Sequence, residues 1–155
     1  METSGRVVAD VEVVANVELP DVALGRLEAL SVDECLRLLA ANHVGRLAVV
    51  VKEQPVVVPV NYALMGRQIV FRSDTGTKLH ASAGRRVAFE IDSVDASRHE
   101  GWSVLVVGTG HEERDSARLE ALRKLEVTPW AEGTKAHWIC IKGGSVTGRR
   151  IVHEA

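Results

Sequence analysis

The sequence predicts a mainly β protein with a few helices, folded as a small antiparallel barrel of about six strands. Two observations predict this class. First, β-rich runs follow one another in hairpin order, separated by short polar or glycine-containing turns. Second, several runs are apolar at nearly every position, so a sheet built from them must cover both faces or close on itself. The length of 155 residues is typical of one domain.

The first clear element is a helix that begins after Ser31. In Ser31-Val-Asp-Glu34 the serine hydroxyl can accept from the third helical amide while the glutamate reaches back, which is a capping box. Leucines at helical spacing follow. We assign residues 25–155 to the barrel domain. Residues 1–24 mix valines with Asp, Glu and Gly, and we expect a flexible arm or a strand exchanged with a partner subunit.

Strands and two further helices follow the first helix. An amphipathic helix is predicted over Ser116–Val127, and a short helix follows the polar loop after Phe71. The last two β-rich runs are predicted to form a hairpin around Gly143-Gly144. The predicted runs are Leu47–Val51, Pro55–Leu64, Gln68–Phe71, Val87–Ile91, Gly101–Gly108, Ala136–Ile141 and Ser145–Val152.

Two of the runs, Leu47–Val51 and Val104–Val107, show little alternation between apolar and polar residues. A strand with one face in water alternates, so the outward faces of these runs are expected to meet helices or a second subunit. We therefore expect a homodimer.

Composition and charge argue against several classes of partner. With a net charge of −2 and a pI near 6.3, the chain shows no general attraction to nucleic acid or to an anionic membrane. No apolar stretch approaches the length of a membrane span and no signal peptide is evident, so we expect a cytoplasmic protein. The histidines and cysteines show no metal-ligand spacing, and Cys35 and Cys140 are predicted to be buried, reduced and structural. The charged run His111-Glu-Glu-Arg-Asp115 is predicted to be a solvated loop.

The segment from Phe71 to Leu79 is the strongest candidate for a ligand site. A strand ends at Arg72, small hydroxyl and glycine residues follow, and a short helix begins near Thr77. Free amides at a helix start, a glycine that allows close approach, and flanking Arg and Lys are ingredients of a phosphate site. The pattern is neither a P-loop nor a dinucleotide fingerprint. A capped turn with solvated charges is the simpler interpretation, and the pattern alone leaves both open.

Five blocks occur in order along the chain: Gly45-Arg-Leu-Ala48, Val58-Pro-Val-Asn-Tyr62, Ile69-Val-Phe-Arg-Ser73 with Gly76-Thr-Lys-Leu79, Arg86-Val-Ala-Phe-Glu90, and Gly101-Trp-Ser-Val-Leu-Val-Val-Gly108. Together they resemble the pyridoxamine phosphate oxidase-like, FMN-binding split-barrel superfamily. Within it, the sequence pattern is most similar to that of the small nitroimidazole-reductase-like branch. The resemblance implies a six-stranded antiparallel split β-barrel of the FMN-binding type. It also implies FMN as the cofactor, with a deazaflavin or haem as alternatives.

The resemblance implies a role for each matching residue. The phosphate-binding strand end and loop are matched by Arg72, Ser73, Thr77 and Lys78. The strand whose backbone lies along the isoalloxazine ring is matched by Pro59, Val60, Asn61 and Tyr62. A strand that approaches the flavin from the opposite subunit is matched by Trp102 and Ser103, which implies a homodimer with flavin sites at the subunit interface.

For some of these residues a structural interpretation stays open beside the functional one. Asn61 can be a strand-end polar residue, Tyr62 a half-buried ring, and Trp102 an interface or core aromatic. Trp138 and Arg149 are loosely similar to the C-terminal residues that close the site in relatives.

The function implied is that of an oxidoreductase in which NAD(P)H reduces the flavin and the flavin reduces a small oxidant, such as a nitro compound or quinone. The short chain lacks an evident C-terminal basic set for pyridoxal phosphate, which argues against vitamin B6 oxidation. The alternatives are a split-barrel protein that binds a deazaflavin or haem, a dimer that binds or sequesters flavin without turnover, and an interaction module with an empty site. No catalytic residue and no metal ligand is predicted.

Overall fold

The computed structural model describes residues 25–153, and for residues 77–79 the backbone alone. The predicted N-terminal arm, residues 1–24, lies outside the described residues. The described chain forms seven strands and three helices. They are β1 (Arg26–Ala29), α1 (Val32–Ala41), β2 (Val44–Val51), β3 (Gln54–Met65), β4 (Gln68–Ser73), α2 (Thr77–Ser82), β5 (Arg86–Asp95), β6 (Glu100–Glu112), α3 (Ser116–Arg123) and β7 (His137–Val152).

Helix α1 begins where the capping box predicts. The Ser31 hydroxyl accepts a hydrogen bond from the Glu34 amide at 3.2 Å, and the Glu34 carboxylate accepts one from the Ser31 amide at 3.0 Å. The helix directs Cys35 and Leu39 into the protein core, where both are buried. Cys140 is buried as well, and both cysteines are free, as predicted.

The strands close into a ring. Their order is β1-β7-β4-β3-β2-β5-β6, and a further pairing joins β6 to β7. All the pairings between named strands are antiparallel, so six strands, β2 to β7, form the closed barrel that the sequence predicts. Among the described strands, the seventh strand, β1, pairs with the last part of β7 alone. Closure removes the exposed edges that an open sheet of this apolar content would present.

The predicted hairpin at the end of the chain is wrong, because β7 is one continuous strand. Its first half pairs with β4 and β6, and its second half pairs with β1 and β6. Gly143 and Gly144 have φ of +55° and +145°, and the register with β6 shifts near Gly108 at the same point. A Cβ on Gly144 would collide with the Val107 carbonyl oxygen. The two glycines therefore bend a strand that stays paired instead of reversing the chain.

The barrel interior holds the main core. Its largest buried side chains include Tyr62, Phe71 and Phe89, each 1% exposed or less. The Tyr62 and Phe89 rings meet edge to face with centroids 4.8 Å apart. A second, smaller cluster lies outside the barrel beneath α3. Its buried members are Val70, Leu122, Val127, Trp138 and Cys140.

Helix α3 is shorter than the predicted Ser116–Val127. It ends at Arg123, and single turns then bring Leu125 and Val127 onto the outer surface of the barrel. The chain leaves the helical path before Pro129, because this path buries the two apolar side chains against the second cluster. None of the helices within residues 25–153 is long and apolar enough to cross a membrane.

The apolar strands alternate between inward and outward positions in the structure. Val104 and Val106 of β6 are buried, whereas Leu105 between them points outward and is 40% exposed. Val50 of β2 and Val57 of β3 are 56% and 62% exposed. The strand registers set the outward residues Val57, Ala48, Ala88 and Val107 side by side across β3, β2, β5 and β6. We call this row, with Val50 and Leu105, the outer apolar face. The residues that the structure describes leave this face partly open.

Candidate functional site

The loop between β4 and α2 borders a cavity of about 330 Å³. Strand β4 ends at Ser73, and α2 begins at Thr77. Hydroxyl groups, a glycine and a lysine contribute to its walls, which suits an anionic oxygen-rich ligand. We call it the loop cavity. It is lined by Val58, Pro59, Ser73, Asp74, Thr75, Gly76 and Lys135.

Arg72 lies beside this cavity but is directed to the segment before β7. Its Nε donates to the Lys135 carbonyl oxygen at 3.0 Å and its Nη2 to the Thr134 carbonyl oxygen at 3.3 Å. The guanidinium also lies 5.5 Å from the centroid of the Trp138 ring, within the range of a cation–π contact. The arginine therefore anchors the segment that forms one wall of the loop cavity.

The predicted convergence of Arg72 and Lys78 on one anion stays a prediction. The structure places the backbones of Thr77 and Lys78 in the first turn of α2. Their side chains lie outside the described part of the chain. The Ser73 side chain is buried at the end of β4, where its hydroxyl donates to the Asp74 carbonyl oxygen at 2.9 Å.

Lys135 is a cation of the candidate site that the sequence patterns did not predict. Its ammonium group lies 3.0 Å from the Asp74 carboxylate, and its own amide donates to the same carboxylate. The hydrogen bonds from Lys135 hold the pKa of Asp74 below its ordinary value. The lysine thus offsets the one negative charge in the predicted phosphate loop. The two residues are 61 positions apart, so no local pattern could have paired them.

Strand β3 presents its backbone to this region. The Val60 and Tyr62 side chains are buried in the core, and the Tyr62 hydroxyl donates to the Leu39 carbonyl oxygen at 2.7 Å. Burial raises the pKa of Tyr62, so its hydroxyl stays protonated over the usual pH range. A ligand beside this strand would therefore meet main-chain groups and the outward residues Pro59 and Asn61.

One edge of β3 is available for such contacts. Strand β4 pairs with β3 only from Tyr62 to Met65, whereas β2 pairs with β3 as far as Asn61. Among the described residues, the part of β3 before Tyr62 thus has a strand partner on one side only. The other side borders the loop cavity at Val58 and Pro59. Unpaired amides and carbonyls at a strand edge can bind the polar edge of a planar ring.

The segment between α3 and β7 lies over the same strand. The Asn61 side-chain oxygen accepts a hydrogen bond from the Trp130 amide at 3.0 Å. The Trp130 ring is 79% exposed. Together with the contacts of Arg72 and Asp74, this bond fixes the segment at three points, all of them on β3, β4 or the loop after β4.

Trp102 and Ser103 lie in a different region of the chain. On β6 they pair with Arg150 and Arg149 of β7. With Arg149 they line a cavity of about 260 Å³ that shares no residue with the loop cavity. Trp138, in contrast, is buried under Arg72. Within one chain the predicted site residues therefore form two separate groups, one around the loop cavity and one on β6.

The charged run after β6 differs from the predicted solvated loop. Glu112 still belongs to β6, and the Glu113 side chain is buried. Its carboxylate accepts from Arg118 Nε at 2.7 Å. Burial opposes ionisation of Glu113, but the hydrogen bonds from Arg118 and from the Asp115 amide lower its pKa overall. The loop prediction is wrong for His111 and Glu112, which belong to β6, and for Glu113, which the ion pair holds in a buried position.

A closed antiparallel barrel with a ligand-sized cavity at an open strand edge defines the protein as a split-barrel protein. Residues 31–150 match the family described as pyridoxamine 5'-phosphate oxidase. The chain belongs to this family, which confirms the superfamily that the sequence blocks predicted.

Known proteins are similar over most of the chain. A Mycobacterium tuberculosis protein, described only as uncharacterized, is 32% identical over 79% of this chain and 84% of its own length. The FAD binding protein from Mycobacterium smegmatis superposes with a TM-score of 0.70 at 35% identity, covering 79% of this chain and 98% of that chain. A FAD-binding protein from Mesorhizobium loti superposes with a TM-score of 0.66 at 28% identity, covering 80% of this chain and 97% of that chain.

Proposed function

We propose that the protein binds a flavin through its phosphate at the loop cavity and serves as an oxidoreductase. The observation that supports this most directly is the open edge of β3 beside a cavity lined by hydroxyl groups and Lys135. A flavin has a planar ring with a polar edge and a phosphorylated tail, so it needs both features next to each other. The donors present fit the phosphate, because the Asp74 charge is already offset.

FMN is the flavin that the sequence predicts, and FAD is the second candidate. The two similar structures described as FAD-binding favour FAD. Both molecules carry a phosphate at the same end of the ribityl chain, so the loop cavity suits either. Heat or acid release of the cofactor, followed by chromatography and mass spectrometry, distinguishes the two.

A homodimer is part of the proposal. Leu105, Val50 and Val57 leave the outer apolar face partly exposed, and covering it by a second copy would remove apolar area from water. The residues Trp102 and Ser103 lie apart from the loop cavity of their own chain. A two-fold arrangement that brings them to the partner's cavity would complete a flavin site from both groups.

When bound, the flavin would supply the redox chemistry, accepting hydride from NAD(P)H and passing electrons to a small oxidant such as a nitro compound or quinone. The protein's part is binding and orientation. Lys135 and Thr75 would hold the phosphate together with Lys78, the β3 backbone would orient the ring, and the segment around Trp130 would restrict water.

The test begins with the absorption spectrum of the purified protein. Oxidised flavin bands are expected, as are bleaching by NADH or NADPH under anaerobic conditions and recovery on addition of a nitroaromatic compound or quinone. A flavin that is bound but not bleached would support a carrier instead of a reductase. A protein that binds neither FMN nor FAD would overturn the proposal.

The phosphate site has a separate test. The double substitution Arg72→Ala with Lys78→Ala should weaken FMN binding by at least about tenfold, because it removes the predicted phosphate contact of Lys78 and the Arg72 hydrogen bonds that hold one wall of the loop cavity. Arg98→Ala is the matched control, because Arg98 is an exposed arginine of the turn between β5 and β6. Unchanged FMN affinity in the double variant would remove these residues from the site.

A further inference from the structure

A hydroxyl, an imidazole and a carboxylate form one hydrogen-bonded chain at the loop cavity. Thr75 Oγ1 lies 3.0 Å from His137 Nε2, and His137 Nδ1 lies 2.6 Å from the Glu112 carboxylate. Thr75 comes from the loop after β4, His137 from the start of β7 and Glu112 from the end of β6. Thr75 also lines the loop cavity, so one end of the chain reaches the ligand space.

The carboxylate end determines the polarity of this chain. The hydrogen bond to His137 is the main cause that holds the pKa of Glu112 below its ordinary value, so the carboxylate is ionised and accepts. His137 Nδ1 must then carry a proton. A neutral imidazole with its proton on Nδ1 has a lone pair on Nε2, which would accept the Thr75 hydroxyl proton. In that state the Thr75 hydroxyl donates its proton to His137, so this proton is not available to a ligand in the cavity.

A second state reverses the hydrogen bond to Thr75. When His137 is doubly protonated, Nε2–H donates to Thr75 Oγ1, and the hydroxyl proton is free to point into the cavity. The Glu112 carboxylate compensates the imidazolium charge. An anionic oxygen in the cavity would accept this hydroxyl proton, so the ligand and the protonated imidazole stabilise each other.

We propose that Thr75, His137 and Glu112 form a proton-coupled donor for the phosphate of the flavin, so that phosphate binding in the loop cavity is accompanied by proton uptake at His137. Thr75 is the residue that contacts the phosphate, and His137 and Glu112 are positioning residues. The inference rests on the proposed flavin site and adds to it a residue set and a pH dependence. The sequence did not suggest it, because the three residues come from three separate elements.

Other charges around His137 come from each neighbouring element. Arg114 lies 2.9 Å from Glu112 and shares its carboxylate. Arg72 is next to Ser73, the register partner of His137 on β4. Asp74 and Lys135 form an ion pair between the loop and the segment before β7. Among the described residues, Glu112 is the carboxylate that contacts the imidazole, whereas Asp74 is paired with Lys135.

The test compares FMN, FAD and riboflavin, because riboflavin has the same ring and no phosphate. Thr75→Val keeps the shape of the side chain and removes the hydroxyl. It should weaken FMN and FAD binding by about tenfold or more, as expected for one hydrogen bond to a charged group, and leave riboflavin binding unchanged. Thr75→Ser keeps the hydroxyl and should restore the affinity. Thr75 is exposed, so neither substitution threatens folding.

His137→Gln tests the coupling to protons. Glutamine can hydrogen-bond at the Nε2 position without taking up a proton, so the pH profile of FMN affinity becomes the readout. As the pH rises, FMN affinity of the wild-type protein should fall relative to that of the glutamine variant, because only the wild-type side chain can lose the proton that the bound phosphate stabilises. The ionisation of the phosphate itself affects both proteins equally.

The outcomes separate this inference from the proposed function. A protein that binds riboflavin and FMN, with Thr75→Val matching wild type or with Thr75→Ser as weak as Thr75→Val, keeps the flavin site and overturns the hydrogen-bond chain. Identical pH profiles for wild type and His137→Gln overturn the proton coupling. A wild-type protein that binds none of the three flavins overturns both the proposed function and this inference.

Discussion

The Asn61 side-chain oxygen accepts the backbone N–H of Trp130 at 3.0 Å, which joins the edge of β3 to a segment 69 residues further along the chain. Asn61 is a predicted site residue. Tyr62 pairs with Phe71, so Asn61 and Arg72 occupy adjacent outward positions on neighbouring strands. Both hold the same segment in place, which makes that segment part of the candidate site.

Asn61→Ala should release the segment around Trp130. Loss of one hydrogen bond of this kind costs about 0.5–1.5 kcal/mol, too little to unfold the barrel but enough to open the segment locally. Limited proteolysis with trypsin, which can cut after Lys124 and Lys135, should then be faster. Asn61→Asp keeps an oxygen acceptor and serves as the control. Equal cleavage rates in Asn61→Ala and wild type would contradict this role for the bond.

Tyr62→Phe separates stability from binding. The substitution leaves the Leu39 carbonyl oxygen without its buried donor, so the free energy of unfolding should fall by about 1–3 kcal/mol. Flavin affinity should stay the same, because the Tyr62 side chain faces the core and the strand meets the ligand through its backbone. Denaturant unfolding and flavin titration measure the two effects. A large loss of flavin affinity with unchanged stability would show that the hydroxyl acts at the site.

Acid should destabilise the protein through Glu113. The folded protein lowers the pKa of this carboxyl relative to its ordinary value of 4.5. Its contribution to stability is therefore complete above the unfolded-state pKa and is lost as the pH falls through the lower, folded-state pKa. Denaturant unfolding below about pH 4.5 should show the free energy of unfolding decreasing.

The matched variants for the acid effect are Glu113→Gln and Glu120→Gln. Glu113→Gln should show a shallower pH dependence over the same range, because it removes one titrating group whose pKa differs between the folded and unfolded states. Glu120 is an exposed glutamate of α3, so Glu120→Gln makes the same chemical change away from the Arg118 ion pair. The same slope in Glu113→Gln as in wild type would assign the acid effect to other carboxylates.

Leu105→Glu should prevent self-association. Leu105 lies within the outer apolar face opposite Glu90, so a carboxylate buried there in a dimer would meet a like charge. Sedimentation velocity should show a dimer for wild type and a monomer for the variant. Val32→Glu places the same charge on an exposed apolar position of α1 and should remain dimeric. A dimer that persists in Leu105→Glu would locate the interface elsewhere.

Local signals predicted the elements that depend on neighbouring residues. The capping box at Ser31 and Glu34 is formed as the sequence predicts, because both partners lie within one turn. The β2–β3 hairpin is formed as well, and its turn places Lys52 and Glu53 at φ of +48° and +65°. Closure of the sheet into a barrel was also predicted from the sequence, because it depends on the overall apolar content of the strands and not on single contacts.

Contacts between residues that are far apart along the chain could not be predicted from the sequence. A glycine pair such as Gly143-Gly144 looks the same in a hairpin turn and in a bent strand, and only pairing with β6 decides between them. His137 and Glu112 are 25 positions apart, and nothing in the pattern around either residue marks the other as its partner. The candidate site therefore gained Lys135, His137 and Glu112 only from the fold.

The bend in β7 also links two distant regions of the surface. The first half of this strand carries His137 at the loop cavity, and the second half carries Arg149 beside Trp102. One stretch of backbone thus sets the spacing between both groups of candidate residues. A side chain at position 144 would force this strand away from Val107 and so change the distance between the two cavities of one chain.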